Sequence, residues 1–316
     1  MNHQLNWQKW EEWCRKVGAD RCKPTVFQVL QYIGGMSLVM APNTLNKFIT
    51  TVRSMLGAWW VVQIQPEMHI KMILDTVKLE CAGRVKPKVP ITWDIVSSIL
   101  KHYLVHQRVS VADTRGLAFL GLAYLSAARP QEVASLSYGQ CQLIHSESKS
   151  MSILSHKCMH NLLRQGYLLK LFFKGKTEKY MACPFVEVPV GNLASLWLHK
   201  WLVLAQKRGE DDSESKPMFT ALGGTCGFGV SESAFQAWWL NCKKYLWQNK
   251  LISQDIMDYA TISCLRNGCI TDIHSHQFPV AVAMRVARHR TVNTNMQYNR
   301  TLAGQGAAAI KYILDA

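Results

Sequence analysis

The chain lacks several features that would place it in a membrane or outside the cell. It has no run of about 20 apolar residues, which is the length a helix needs to cross a bilayer. Its first residues, MNHQLNWQKWEEW, have neither the basic nor the apolar region of a signal peptide. Its ten cysteines include no CxxC pair, a spacing typical of zinc sites and redox motifs. We therefore expect a protein that is not secreted and keeps its thiols reduced, in the nucleus of a eukaryote or in the cytoplasm or nucleoid of a bacterium or virus.

Acidic residues are also scarce. The chain has 21 Asp and Glu against 36 Lys and Arg, a net charge of +15. This excess favours a polyanionic partner, with nucleic acid first. A membrane surface is disfavoured because no segment joins a dense basic face to an apolar stripe. The glycine-rich stretch GGTCGFG at 223–229 lacks the Gly-Lys-Ser/Thr ending of a phosphate-binding loop. We expect neither a cofactor nor a metal.

The length of 316 residues favours two domains. Periodic apolar residues predict helices through 1–81, which we interpret as an N-terminal helical DNA-binding domain. A second helix is predicted from about Val26 to Tyr32, ending before Gly34 and Gly35. A third is predicted after Pro42, capped by Asn43 or Thr44. Its apolar stripe consists of Leu45, Phe48, Ile49, Val52 and Leu56.

Five basic residues in and after this domain are candidates for DNA contact. Lys47 and Arg53 fall away from the apolar stripe of the third helix. Residues 82–91 contain two prolines and a glycine and show no apolar periodicity, which predicts an extended linker. Its cations are Arg84, Lys86 and Lys88.

Residues 92–316 carry the pattern of a larger, mostly helical domain. A helix capped by Thr92 is followed by GLAFLGLAYLSAA at 116–128, which is apolar all round and therefore buried. YLLKLFF at 167–173 and the segment 180–190 read as strands of a hairpin joined by GKTEK. Asn192 opens a helix that stops at Arg208-Gly209. The predicted fold is mainly α, with an α+β second domain and a small antiparallel sheet.

Four residues suited to attack on a phosphodiester occur in order: Arg129, Arg266, His289 and Tyr298. His289 lies nine positions before Tyr298. A phenol can act as the nucleophile, and guanidinium groups neutralise the charge that builds on the phosphoryl oxygens. Each residue alone would be ordinary, so the order and spacing carry the prediction.

This ordered set resembles the tyrosine recombinase or phage integrase family. An arginine of that family lies in a G-L-R-x-x-E-like turn, matched by Arg129 and Glu132. A hairpin lysine in a K-G-x-K-E-R-like sequence is matched by Lys174, and Lys176 is close enough to compete. The family's H-x-L-R is matched at Arg266.

The match to H-x-L-R has one departure, because Ser263 stands where the family usually has histidine. A serine can donate a hydrogen bond to a phosphoryl oxygen but cannot titrate near neutral pH. The family's histidine or tryptophan nine residues before the nucleophile is matched by His289 and Tyr298.

The resemblance implies a role for each matched residue. Tyr298 would form a 3′-phosphotyrosyl bond, with Lys174 or Lys176 protonating the leaving oxygen. Glu132 would brace its neighbourhood. The implied catalytic set is Arg129, Lys174, Ser263, Arg266, His289 and Tyr298.

The resemblance also implies a site-specific recombinase or integrase that acts as a tetramer on double-stranded DNA. Three short motifs look most like DIRS-type retroelements or related eukaryotic mobile elements: WxxWC at 10–14, R-x-G-C at 266–269 and Y-x-R-T at 298–301. The apolar segment 301–316 would support assembly by docking on a neighbouring subunit, or would pack on its own chain. Two alternatives stay open: a catalytically impaired DNA-binding relic of the family, and a type IB topoisomerase-like enzyme.

Overall fold

Helices form most of the structure, a computed structural model that describes residues 3–61, 67–82, 89–105, 109–173, 185–222 and 228–288. The chain divides into two compact units, Met1–Pro87 and Lys88–Ala316. The functions that the sequence suggests for these two parts stay predictions. None of the described helices is both long and apolar enough to cross a membrane.

The residues of the first unit that the structure describes form four α-helices. They are α1 (His3–Val17), α2 (Val26–Ser37), α3 (Pro42–Leu56) and α4 (Glu67–Ala82). All five residues of the stripe predicted on α3 are buried, and they pack in one core with Trp10 and Tyr32. The indole N–H of Trp10 donates to the Arg21 carbonyl at 3.0 Å. Lys47 and Arg53 are exposed on α3, as the stripe predicts.

Two predicted boundaries in this unit are wrong. The helix α2 continues through Gly34 and Gly35 to Ser37, although each glycine costs a helix roughly 1 kcal/mol relative to alanine. Burial of Tyr32 and Ile33 in the core offsets that cost. The helix α3 begins at Pro42, and Ala41 is its N-cap. Proline suits the first helical position because the backbone N–H it lacks would have no intrahelical partner.

The described part of the second unit begins with the α-helices α5 (Trp93–Val105), α6 (Val111–Leu125), α7 (Pro130–Ala134) and α8 (Leu193–Lys207). Two of them, α6 and α8, pack together at its centre. As predicted, α6 is buried almost all round. It packs closely on α8: a Cβ added at Gly121 would lie 2.6 Å from the Ala194 Cβ. Asn192 caps α8, confirming its predicted start.

The small sheet has four antiparallel strands in the order β2-β1-β3-β4. They are β1 (Cys141–His145), β2 (Met151–Ile153), β3 (Tyr167–Phe172) and β4 (Phe185–Pro189). The predicted hairpin is the pairing of β3 with β4, in register from Leu168↔Pro189 to Phe172↔Phe185. The sequence did not predict β1 and β2. The first is a short run with no clear period, and the second is a three-residue edge strand that is exposed throughout.

Among the described residues, the helices after α8 are α9 (Glu232–Gln248), α10 (Gln254–Tyr259), α11 (Cys264–Ser275) and α12 (Val280–Ala287). The helix α11 lies against the chain just before α5. A Cβ added at Gly268 would fall 1.8 Å from the Ile91 carbonyl oxygen, and the Ile91 N–H donates to the Cys264 carbonyl at 3.3 Å. Only glycine permits this approach. The start of the second unit is therefore fixed directly on α11.

Asp272 joins α11 to two other helices. Its Oδ2 accepts the Trp93 N–H at the start of α5, at 2.7 Å, and the hydroxyl of Tyr124 on α6. Burial, followed by the hydrogen bond to Asp272, raises the pKa of Tyr124. The phenol therefore stays a donor, and α5, α6 and α11 converge on one carboxylate.

Candidate active site

Arg129 lies in the turn between α6 and α7, as predicted. It is the N-cap of α7 with an extended backbone, φ −70° and ψ 145°. Its N–H donates to Glu132 Oε2 at 2.7 Å, and its Nη1 donates to Glu132 Oε1 at 2.9 Å. The Arg129 side chain is 54% exposed. The turn thus fixes the backbone of Arg129 and leaves its guanidinium at the surface.

Glu132 is held between two arginines. Its side chain is only 9% exposed, and besides Arg129 it binds Arg288, whose Nη2 lies 2.5 Å from Glu132 Oε2. Burial alone would raise the pKa of Glu132, but the charge of Arg288, the Arg129 N–H and the Arg129 charge together lower it. The carboxylate is therefore ionised at neutral pH. The bracing role of Glu132 stays a prediction.

Arg266 lies in the first turn of α11 and is almost completely buried, with 3% of the residue exposed. Its Nη1 donates to the Ala127 carbonyl at 2.7 Å, and its Nη2 donates to the Ala287 carbonyl. Ala127 has a left-handed backbone, φ 44°, and lies two residues before Arg129. Arg266 therefore ties the Arg129 turn to the end of α12, two residues before His289.

Ser263 directly precedes α11 and is exposed. Its Oγ lies 2.7 Å from Thr261 Oγ1. The chain leading to it is held by the Ala260 carbonyl, which accepts from Trp239 Nε1 and from the buried Lys243 Nζ, each at 3.1 Å. Burial lowers the pKa of Lys243. A hydroxyl is thus presented at the surface at the start of the helix that carries Arg266.

The structure brings together three of the site residues predicted from sequence, which are Arg129, Glu132 and Arg266. The exposed Lys47 and Arg53 belong to the other unit. Seven further candidates lie outside the described residues: Arg84, Lys86, Lys88, Lys174, Lys176, His289 and Tyr298. Their roles stay predictions, as do the chemical roles of the three.

Sequence reasoning missed Arg288. It directly precedes His289, has a left-handed backbone with φ 56° and ψ 42°, and places its guanidinium carbon 4.2 Å from the centre of the Phe173 ring. Its side chain is 8% exposed. The signal available in the sequence was a third arginine beside a candidate catalytic residue, but its pairing with Glu132 depends on a contact across 156 positions.

The cluster also differs from a metal site. Among the residues that the structure describes, no group of three or more His, Cys, Asp or Glu side chains is placed to hold a metal ion. The His156 imidazole Nε2 lies 3.2 Å from the Tyr138 hydroxyl, and the His156 backbone N–H donates to Asp212 Oδ2 at 2.6 Å. What the described cluster offers chemically is concentrated positive charge and N–H donors around one buried carboxylate.

Comparison with solved structures identifies the fold. The chain superposes on the Tn1549 transposon integrase in complex with transposon right end DNA with a TM-score of 0.61, covering 100% of this chain and 94% of that one at 13% identity. For the XerH site-specific recombinase bound to palindromic difH substrate, in a post-cleavage complex, the TM-score is 0.57, with 91% and 72% covered at 12% identity.

This is the fold of tyrosine recombinases and integrases. No protein-family model and no curated protein matches the sequence. The low identity means that the likeness lies in the path of the backbone. The neighbours are recombinases and integrases bound to DNA, whereas the similarity to this chain concerns its fold alone.

Proposed function

We propose that the chain is a site-specific DNA recombinase that cleaves and rejoins DNA through a 3′-phosphotyrosyl intermediate. The observation that carries the proposal is the double contact of Arg266 with the Ala127 and Ala287 carbonyls. These contacts bring the Arg129 turn beside the segment that enters His289, although 160 positions separate Ala127 from Ala287 in the sequence. The shared fold supports the same reading.

In this proposal Tyr298 attacks the scissile phosphorus and displaces the 5′ oxygen. Tyrosine has a pKa near 10, so little of it is ionised at neutral pH, and nearby cations favour the anion. His289 hydrogen-bonds the phosphate or assists transfer of the phenol proton. Lys174, or Lys176 in its place, donates a proton to the leaving 5′ oxygen. The phosphotyrosyl bond conserves the energy of the phosphodiester, so rejoining needs no ATP.

The arginines stabilise the negative charge of the transition state. Arg129 has an exposed guanidinium on a fixed backbone. Arg266 carries five N–H groups, and its two carbonyl bonds fix the orientation of the guanidinium plane before DNA binds. Preorganised donors of this kind need little reorganisation during the reaction. The Ser263 hydroxyl supplies a further donor where a histidine would otherwise stand.

The proposed partner is double-stranded DNA, with four copies of the chain acting on two duplexes. The net charge of +15 supports a polyanionic partner. A role in a mobile element is supported by the likeness to a transposon integrase, and the DIRS-type assignment rests on the sequence motifs alone. In a eukaryote such a protein would act in the nucleus.

The test of this function is covalent capture of DNA by Tyr298. Duplexes that bind the full chain are selected from a pool of randomised sequence and remade with 5′-bridging phosphorothiolate linkages at successive positions. Cleavage breaks the P–S bond and releases a thiol with a pKa of about 8.5, which leaves without protonation. The thiol rejoins poorly, so the adduct accumulates and is seen on a denaturing gel.

We expect the wild type and Tyr167→Phe to form the adduct and Tyr298→Phe to form none. Tyr167 is the matched control because it lies on β3 and packs against His145. Binding without any adduct would favour the DNA-binding relic. The observation behind this alternative is Ser263, which stands where the family usually has histidine. Adduct formation with relaxation of supercoiled DNA, but without exchange between two duplexes, would favour the topoisomerase-like alternative.

A further inference from the structure

Arg288 occupies a backbone conformation that its residue type disfavours. It follows α12 directly and has φ 56° and ψ 42°. Left-handed backbone is routine for glycine, whereas other residues adopt it at a cost that the surrounding contacts must offset. We therefore expect the contacts of the Arg288 side chain to offset the cost of this backbone conformation.

The guanidinium of Arg288 makes contacts on two other segments of the unit. It forms an ion pair with Glu132 on α7, and it lies over the ring of Phe173, which follows β3. Both Arg288 and Glu132 have side chains that are more than nine-tenths buried. Arginine suits this position because its planar group can pair with a carboxylate while it stacks on an aromatic face.

Each segment that Arg288 contacts carries a neighbouring candidate for catalysis. Glu132 binds Arg129 through both its oxygens. Phe173 directly precedes Lys174, and Arg288 itself directly precedes His289. Three separate parts of the chain thus meet at one guanidinium.

The neighbouring backbone is fixed as well. The Ala287 carbonyl, just before Arg288, accepts from Arg266. The chain is therefore held at two consecutive residues, at the carbonyl of one and at the side chain of the next. Loss of the Arg288 guanidinium would leave Glu132 buried with one fewer cation and would release the second of these attachments.

We propose that Arg288 is a positioning residue for DNA cleavage, which sets the Arg129 turn and the segments entering Lys174 and His289 against one another through Glu132 and Phe173. This rests on the proposed recombinase function. Arg288 does not need to touch DNA, because it acts through these partners. A small displacement of catalytic groups is enough to slow a reaction on the order of a hundredfold.

The test compares cleavage by the full chain with Arg288→Gln, Arg288→Lys and Arg288→Gly, on the phosphorothiolate duplex that captures the wild type. Arg285→Gln is the matched control, since Arg285 is an exposed arginine on α12. The readouts are the rate of adduct formation at saturating protein, the protein concentration that half-saturates it, and the melting temperature.

We expect Arg288→Gln to lower the saturating rate on the order of 10- to 100-fold, with half-saturation unchanged within about threefold. Arg288→Lys should recover part of the rate, because it keeps the charge but cannot stack as a planar group. Adding Glu132→Gln to Arg288→Gln should slow cleavage no further than the slower single variant, since the two residues act as one unit. Arg285→Gln should match the wild type.

Arg288→Gly separates positioning from simple stabilisation. Glycine relieves the left-handed strain, so this variant should melt at a higher temperature than Arg288→Gln yet cleave equally slowly. If the rate recovers together with the melting temperature, the role is structural and the inference is wrong. Wild-type rates in Arg288→Gln would also overturn it while leaving the recombinase function intact. Absence of an adduct with the wild type itself would overturn the function, and this role with it.

Discussion

The two arginines predicted to contact the same phosphate sit in opposite surroundings. Arg129 lies in a surface turn with its side chain 54% exposed, and its guanidinium pairs with the Glu132 carboxylate. Arg266 lies inside the unit, with 3% of the residue exposed, and donates to the backbone of two distant segments. Two arginines with the same predicted chemical role therefore have very different structural surroundings. We expect substitution of Arg129 to affect mainly the rate of DNA cleavage, whereas substitution of Arg266 should also lower the stability of the fold.

The largest expected effect is a loss of folding stability in Gly268→Ala, because the substitution adds a side chain in a buried, tightly packed region. The new Cβ would fall 1.8 Å from the Ile91 carbonyl oxygen, so the helix or the chain beside it must move. We expect a loss of about 3 kcal/mol or more in the free energy of unfolding, measured by urea denaturation.

The same change at Gly34 or Gly35 is the control, because a Cβ at either glycine meets nothing within 4 Å. Each lies inside α2, so alanine should stabilise the first unit by roughly 0.5–1 kcal/mol. A Gly268→Ala protein as stable as the wild type would show that α11 is not held tightly against Ile91.

The next largest effect is the difference in folding stability between Arg266→Gln and Arg129→Gln. Loss of the Arg266 guanidinium leaves two carbonyls in a buried region without their donors, and we expect a loss of about 2–4 kcal/mol in unfolding free energy. Arg129→Gln should change stability by less, about 1 kcal/mol, because the Arg129 guanidinium lies at the surface and Arg288 still pairs with Glu132. Both should slow DNA cleavage by about a hundredfold or more. Stability is measured by urea denaturation. Equal losses in the two variants would contradict the different structural roles of the buried Arg266 and the exposed Arg129.

The smallest expected effect is a pH-dependent contribution of Glu132 to folding stability. Because its pKa is lowered in the folded chain below the usual 4.5, the ionised carboxylate stabilises the fold. That stabilisation is fully present above pH 4.5 and is lost as the pH falls through the lowered folded value. We therefore expect Glu132→Gln to melt at a lower temperature than the wild type near neutral pH, with the difference shrinking in acid. A difference that stays constant with pH would contradict this assignment.

Sequence patterns predicted the elements whose residues repeat regularly. The buried helix α6, the capped helix α8 and the pairing of β3 with β4 follow from apolar periodicity and turn residues. The pattern failed where tertiary contacts decided the outcome. Packing of Ile33 carried α2 through two glycines, and the three-residue strand β2 exists only because β1 pairs with it.

The candidate site divides in the same way. Order and spacing identified Arg129 and Arg266 as a pair, and the turn and helix that hold them are where the sequence puts them. The sequence could not predict that Arg266 binds the carbonyls of Ala127 and Ala287, nor that Arg288 shares Glu132 with Arg129. The contacts of Arg266 with Ala127 and of Arg288 with Glu132 join residues 139 and 156 positions apart, and the contact of Arg266 with Ala287 spans 21 positions, so no local pattern encodes them.

The contact of Ile91 with α11 has a mechanical consequence. The Ile91 N–H donates to the Cys264 carbonyl, and the Ile91 carbonyl oxygen lies against Gly268, so the two contacts flank Arg266 along the helix. A force along residues 89–91 would reach α11 through these two contacts. A pull on the connection between the two units would therefore load the helix that holds a candidate catalytic arginine.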